Sequence, residues 1–123
     1  MAILTLGPII KNALEAAEEL SKENIETDIY DMIWMKPLDK SLLQEVASKY
    51  PYIITIEDGV LAGGFGSAVN DYIKGIEYDP KIVNLGIPDE WVMHGSVSQL
   101  QAKCGYDKEG IKKTIKKLTG GQH

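Results

Sequence analysis

The sequence predicts an α/β domain of three layers, α/β/α, built on a mainly parallel sheet with strand order 2-1-3-4. Three observations carry that prediction. Short β-branched runs alternate with segments whose apolar residues recur at helical spacing, the arrangement that right-handed crossovers turn into parallel strands. The length, 123 residues, suits one domain with a single proper core. The stretch 53–69 reads as strand, glycine-rich turn and helix in succession. Ile53, Ile54, Thr55 and Ile56 run into Glu57-Asp58-Gly59, then Gly63-Gly64-Phe65-Gly66, and apolar residues fall at 65, 68, 69, 72 and 73.

Taken in order, Ala2–Leu6 is a short apolar strand closed by Gly7-Pro8, and Pro8 suits the first turn of a helix. Ile10, Ala13, Leu14, Ala17 and Leu20 mark one face of that helix, with Lys11, Asn12, Glu15, Glu18 and Glu19 opposite, and the helix ends near Asn24. Residues 25–32 alternate as a second strand. Residues 35–38 form a loop, and Asp39 is the N-cap of a helix carrying Leu42, Leu43, Val46, Ala47 and Tyr50. Pro51 separates it from a third strand, 52–57. After the glycine turn and its helix, a polar connection at 75–80 leads to a fourth strand, 81–85, closed by Gly86-Ile87-Pro88. Residues 89–95 lack a period and read as a loop. Ser96-Val97-Ser98-Gln99 has capping-box spacing for a short helix reaching Cys104, and Asp107 caps a last helix carrying Ile111, Ile115 and Leu118. The domain is expected to span 1–119, with 120–123 a frayed tail.

Composition narrows the function classes. Hydrophobic residues make up 44% and charged residues 25%, as in soluble globular proteins. No apolar run approaches the roughly 20 residues of a membrane span, no basic leader precedes the first strand, and Cys104 is the sole cysteine, which together fit a cytoplasmic location. Residues 1–102 carry 7 lysines against 16 acids, whereas 103–123 carry 6 against 2, and there is no arginine. An acidic body without arginine forks argues against a nucleic-acid groove. The pairs Lys112-Lys113 and Lys116-Lys117 read as the solvated face of the terminal helix, an acidic partner being the alternative.

With strand order 2-1-3-4, the order reverses between strands 1 and 3, and the crevice at their carboxyl ends is the usual ligand position. Leu6-Gly7-Pro8 and residues 57–66 line it. The glycine turn is thus either an anion-binding edge at a helix start or a tight connection that packs helix onto sheet. It lacks both the GxxxxGK[ST] and the GxGxxG spacing. Glu57 and Asp58 would share an acid–base site only if the strand ended between them. The preferred role for one of them is to bond the N–H groups of the turn. His94 has no second histidine beside it except His123 at the tail, and reads as a loop residue bonded locally, general acid–base work being the alternative. Cys104, near a helix end, is poorly placed for a nucleophile. Trp34 and Trp91 are core plugs or interface anchors, and Trp91 with Met93 forms an apolar patch suited to docking. The residues supply no complete active site and no metal-ligating set.

Several stretches in order resemble a known family: Ala2-Ile3-Leu4-Thr5-Leu6-Gly7, Ala13-Leu14-Glu15-Ala16-Ala17, Lys36-Pro37-Leu38-Asp39, residues 57–69, Leu85-Gly86-Ile87-Pro88-Asp89 and His94-Gly95-Ser96. Together they resemble the C-terminal domain of 1-deoxy-D-xylulose-5-phosphate synthase, of the transketolase superfamily, from residue 2 to about 118. The Lys36–Asp39 and Gly-Gly pieces are also similar to transketolases and to the β-subunits of 2-oxo-acid dehydrogenases. The resemblance implies one domain of an enzyme that condenses pyruvate with glyceraldehyde 3-phosphate, releasing CO2, for isoprenoid, thiamine and pyridoxal precursors.

Thiamine diphosphate and Mg²⁺ belong to that enzyme's N-terminal and middle domains. No catalytic or cofactor-binding residue carries over, and the chain alone is expected to be inactive. The resemblance further implies a role in building a homodimer, and a regulatory ligand in the third domain has been suggested. Residues in that role would be Glu57, Asp58, Gly59, Gly63, Gly64, Phe65, Gly66 and Ser67 at the turn, with Trp34, Trp91 and His94 as further interface candidates. Relatives carry an additional antiparallel edge strand ahead of the position of Met1, so the resemblance implies an unpaired edge here. Where the family tends to show an arginine–aromatic pair, this chain has Ile33-Trp34. The alternatives are the C-terminal domain of a transketolase or of an oxo-acid dehydrogenase β-subunit, or a small-anion regulatory module.

Overall fold

The alternating segments become strands and helices in the expected order: β1 (Ala2–Leu6), α1 (Ile10–Ser21), β2 (Asp28–Asp31), α2 (Lys40–Lys49), β3 (Tyr52–Val60), α3 (Phe65–Lys74), β4 (Lys81–Ile87) and α4 (Lys108–Leu118). The computed structural model describes residues 1–7, 9–32, 39–60, 64–87 and 105–119, with the backbone alone for 58–60 and 87. Expectations for Pro8, the 35–38 loop, the segment 88–104 with its capping box, and the tail lie outside the described residues.

The sheet has order β2-β1-β3-β4 and every pairing in it is parallel. β1 lies between β2 and β3, with Ala2 opposite Asp28 on one side and Ile53 on the other. Alternate residues of the two central strands supply two cores. Ile3, Ile54 and Ile56 face Ala13, Ala16 and Leu20 of α1 and Ile111 and Ile115 of α4. Ala2, Leu4 and Ile53 face Leu43, Val46 and Ala47 of α2 and Phe65, Val69 and Ile73 of α3. Burial on both faces explains why β1 and β3 read as continuous apolar runs. Each fully buried Ile or Leu contributes about 1.5–3 kcal/mol by leaving water.

Local signals set the helix ends. The Asp39 carboxylate accepts the Leu42 N–H at 3.0 Å and the Asp107 carboxylate accepts the Gly110 N–H at 2.8 Å, so both expected N-caps are present. α1 stops at Ser21, and Asn24 takes φ +64°, the left-handed conformation that closes helices.

That closure also corrects the second strand, which is Asp28–Asp31 rather than 25–32. Ile25 donates its N–H back to Leu20 and buries its side chain in the α1/α4 core instead of joining the ladder. Leu14, placed on the buried stripe of α1, is 53% exposed, because the buried line is Ala13, Ala16 and Leu20. β3 runs on to Val60 and β4 to Ile87, longer than expected at their carboxyl ends. The two strands resume pairing at Val60 and Ile87 past an irregularity after Ile56. Gly86 and Ile87 therefore belong to a strand, and Asp58 and Gly59 lie in β3 and not in the turn.

Candidate functional site

The reversal of strand order falls between β1 and β3, where Leu6 is opposite Glu57. Glu57 ends the apolar run of β3, and its side chain is on the α2/α3 side, in phase with Ile53 and Thr55. It is 6% exposed. Its two carboxylate oxygens take one backbone donor each, Phe65 N–H at 3.0 Å and Gly66 N–H at 2.7 Å. Gly64, the N-cap of α3, has no side chain to accept those donors, so a residue eight positions upstream caps the helix instead. Burial pushes the Glu57 carboxyl above its ordinary value of 4.5, and the two N–H bonds pull it back.

Gly66 is a glycine because of space. A Cβ there would sit 2.8 Å from Asn84 Nδ2 and 2.9 Å from Thr55 Oγ1. Those two groups belong to a polar relay across the sheet. Asn84 Nδ2 donates to Thr55 Oγ1 at 2.6 Å, and Asn70 Nδ2 donates to Asn84 Oδ1 at 2.7 Å. The other atom of the Asn70 amide, Oδ1, is buried with no partner among the described residues. Close approach at Gly66 lets α3 lie against β3 and β4 while Phe65 and Val69 fill the apolar core.

The sequence leads one to expect Glu57 or Asp58 to bond the N–H groups at the turn, and Glu57 is the one that does so. Phe65, Gly66 and Ser67 form the first turn of α3, with Gly64 before them and Ser67 half-buried. Gly63, Trp34, Trp91 and His94 lie outside the described residues. Sequence reasoning missed Thr55, Asn70 and Asn84. The available signal was a polar residue inside an apolar strand, Asn84 within Lys81–Ile87 and Thr55 among three isoleucines.

Two other polar groupings lie away from this edge. Tyr50 donates its hydroxyl to the Asp28 carboxylate and sits 3.1 Å from the Tyr30 hydroxyl, with burial as the main reason the phenol is held protonated well above its ordinary range. On the opposite face, Glu19 of α1 pairs with Lys108 at 2.7 Å and Lys112 at 2.8 Å, and Glu23 pairs with Lys116 at 2.7 Å. The lysines of α4 thus divide: Lys108, Lys112 and Lys116 are engaged within the chain, while Lys113 and Lys117 are exposed. Among the described residues no three His, Cys, Asp or Glu side chains gather as a metal site, and no helix is long and apolar enough to cross a membrane.

The chain matches the family of transketolase C-terminal domains over residues 1–111. It is 44% identical over 117 residues to the 1-deoxy-D-xylulose-5-phosphate synthase of Parabacteroides distasonis, a match covering 95% of this chain and 18% of that protein. Against the enzyme of the same name from Aquifex aeolicus it is 37% identical over 121 residues, covering 98% and 19%. Among solved structures it resembles one described as a split gene transketolase, inactive beta4 tetramer, with a TM-score of 0.84 and 32% identity, covering 94% of this chain and 38% of that one. The chain therefore spans about a fifth of the length of these curated relatives.

Proposed function

The chain belongs to the transketolase C-terminal domain family, and from that premise we propose that it is the third domain of a thiamine-diphosphate-dependent 1-deoxy-D-xylulose-5-phosphate synthase, serving assembly rather than chemistry. The observation that carries this reading is similarity of 37–44% along nearly the whole chain to synthases about five times as long. In this reading the parent is a cytoplasmic homodimer that joins pyruvate to glyceraldehyde 3-phosphate with loss of CO2. The partners of the chain are the N-terminal and middle domains of the same enzyme. Trp34, Trp91 and His94, with Gly63, Gly64 and Ser67 of the turn, are its contact residues, and the buried Glu57, Phe65 and Gly66 hold that turn in shape.

The parent's cofactor and Mg²⁺ do not fit the described residues of this chain. No carboxylate cluster is available for the cation, and the two N–H groups at the start of α3 are already taken by Glu57. No step of the reaction is assigned to these residues. The same occupancy weakens the small-anion reading of the turn, since an incoming phosphate would have to displace a buried carboxylate from its own cap.

One observation favours a second reading. The similar solved structure is described as a transketolase, and the shared fold does not separate the two chemistries. One assay tests both. The purified chain is incubated with thiamine diphosphate and Mg²⁺, alone and with a polypeptide carrying the preceding domains. The expected result is no turnover by the chain alone and CO2 release from pyruvate with glyceraldehyde 3-phosphate in the combination. Ketol transfer between sugar phosphates, without CO2, would support the transketolase reading. Turnover by the isolated chain would refute the assembly role.

A further inference from the structure

Glu57 is the one buried carboxylate among the described side chains. An ionised carboxylate accepts with both oxygens and so satisfies both the Phe65 and the Gly66 N–H. Once protonated, one oxygen carries a hydrogen, and an O–H is set against an N–H. Gly64 offers no side chain to take over the cap, and the space beside Gly66 is too small even for a Cβ, which would meet Asn84 and Thr55. The hold on the first turn of α3 therefore depends on the charge state of one side chain.

We propose that Glu57 is a pH-operated latch: ionised, it locks the first turn of α3 to the end of β3, and protonated, it releases one of the two backbone donors. The latch does not depend on which partner meets the turn.

Among the described residues, the hydrogen bonds to Glu57 come from backbone N–H groups and not from charged side chains. β1, across from it, contains no ionisable side chain. On α3 the nearest ionisable residue in sequence is Asp71, exposed and beyond the first turn; on β4 it is Lys81, exposed at the opposite end of the strand. α2, packed against the same core, carries Lys40, Glu45 and Lys49, all exposed. Asp58 is the adjacent acid in the chain. Burial favours the neutral form of Glu57 and outweighs the pull of the two N–H bonds, which sets release above the ordinary carboxylate value. Protonation also removes a buried charge, so the turn loosens while the whole domain is not destabilised. That separation of local from global stability distinguishes the latch from ordinary acid unfolding.

The test uses the chain labelled with ¹³C at glutamate carboxyls and ¹⁵N at amides, titrated from neutral pH to about 4 by NMR. The Glu57 carboxyl is expected to titrate with a midpoint above 4.5. The Phe65 and Gly66 amide shifts should follow the same midpoint, and their exchange protection should fall about fivefold while that of Ile73 holds. In Glu57→Gln those two amides should already be weakly protected at neutral pH and should show no titration. In Asp58→Asn the coupled titration should persist. A Glu57 midpoint at or below 4.5, amides at 65 and 66 that ignore it, or global unfolding before the carboxyl titrates would each overturn the latch, even if Glu57→Gln fails to fold.

Discussion

The two faces of the sheet are both tied by polar contacts, and the two ties sit in opposite surroundings. On one face, α1 and α4 are laced by Glu19 and Glu23 with Lys108, Lys112 and Lys116, over a core in which Ile111 and Ile115 are fully buried. On the other, α3 is pinned from beneath by Glu57 and by the relay from Thr55 through Asn84 to Asn70. The first set of contacts lies at the water's edge, where solvent and salt screen it and the apolar core does the holding. The second lies inside, where unmade hydrogen bonds are costly and geometry is tightly specified. The difference separates a face that merely folds from an edge whose shape is controlled. It is the controlled edge that falls at the reversal of strand order.

The sharpest way to break this contrast is at Gly66. Gly66→Ala places a methyl within 3 Å of Asn84 and Thr55, which must separate or force α3 outward, and denaturant unfolding should register a loss of about 2 kcal/mol. Gly75→Ala, at the other end of the same helix, meets only the Tyr72 carbonyl at 3.5 Å and should change stability by no more than a few tenths of a kcal/mol. Equal effects at the two glycines would dissolve the distinction between the relay and an ordinary helix.

A smaller effect, with a diagnostic sign, comes from pH. Lys108 and Lys112 hold the Glu19 carboxyl down to about 2, from an ordinary 4.5. Its stabilising contribution is therefore present above 4.5 and is lost as pH falls toward 2. Glu57 is shifted up, so its contribution is present below 4.5 and is lost as pH rises through its higher folded value. Relative to the wild type, Glu19→Gln should be most destabilised at neutral pH and converge with it in strong acid. Glu57→Gln should change its offset from the wild type within the mildly acidic range. Chemical denaturation at a series of pH values reads both, and parallel curves for the two variants would contradict the assignment of opposite surroundings.

The least effect is expected from the ion pairs themselves. Glu19→Gln should shift the thermal midpoint slightly at low ionic strength, and raising salt to about 0.5 M should erase the difference. A shift that survives such salt would mean that this lacing is not screened by solvent after all.

Much of the fold is legible in the sequence because its signals are local. Asp39 and Asp107 announce helix starts three residues ahead of the N–H groups they accept, and the runs in β1 and β3 are apolar but for a threonine in each because both faces are covered. The role of Glu57 is partly legible for a similar reason: an acid that ends an apolar run ahead of a glycine turn, here Glu57 or Asp58, has the turn's donors within reach. The relay is a different matter. Asn84 lies 29 residues from Thr55 and 14 from Asn70, and nothing in any single segment states that they meet. The shortened β2 and the exposed Leu14 come from packing as well, from Asn24 turning left-handed and from a narrow stripe of two alanines and a leucine that suffices to seat α1.

The proposed assembly role puts the contact with the preceding domains at the edge held by Glu57 and not at the exposed Lys113 and Lys117. Hydrogen exchange measured by mass spectrometry, on the chain alone and combined with a polypeptide carrying the preceding domains, tests it directly. New protection over residues 64–67 is expected on combination, with the exposed stretch around Lys113 and Lys117 unchanged. Protection around Lys113 and Lys117, with 64–67 unaltered, would contradict it.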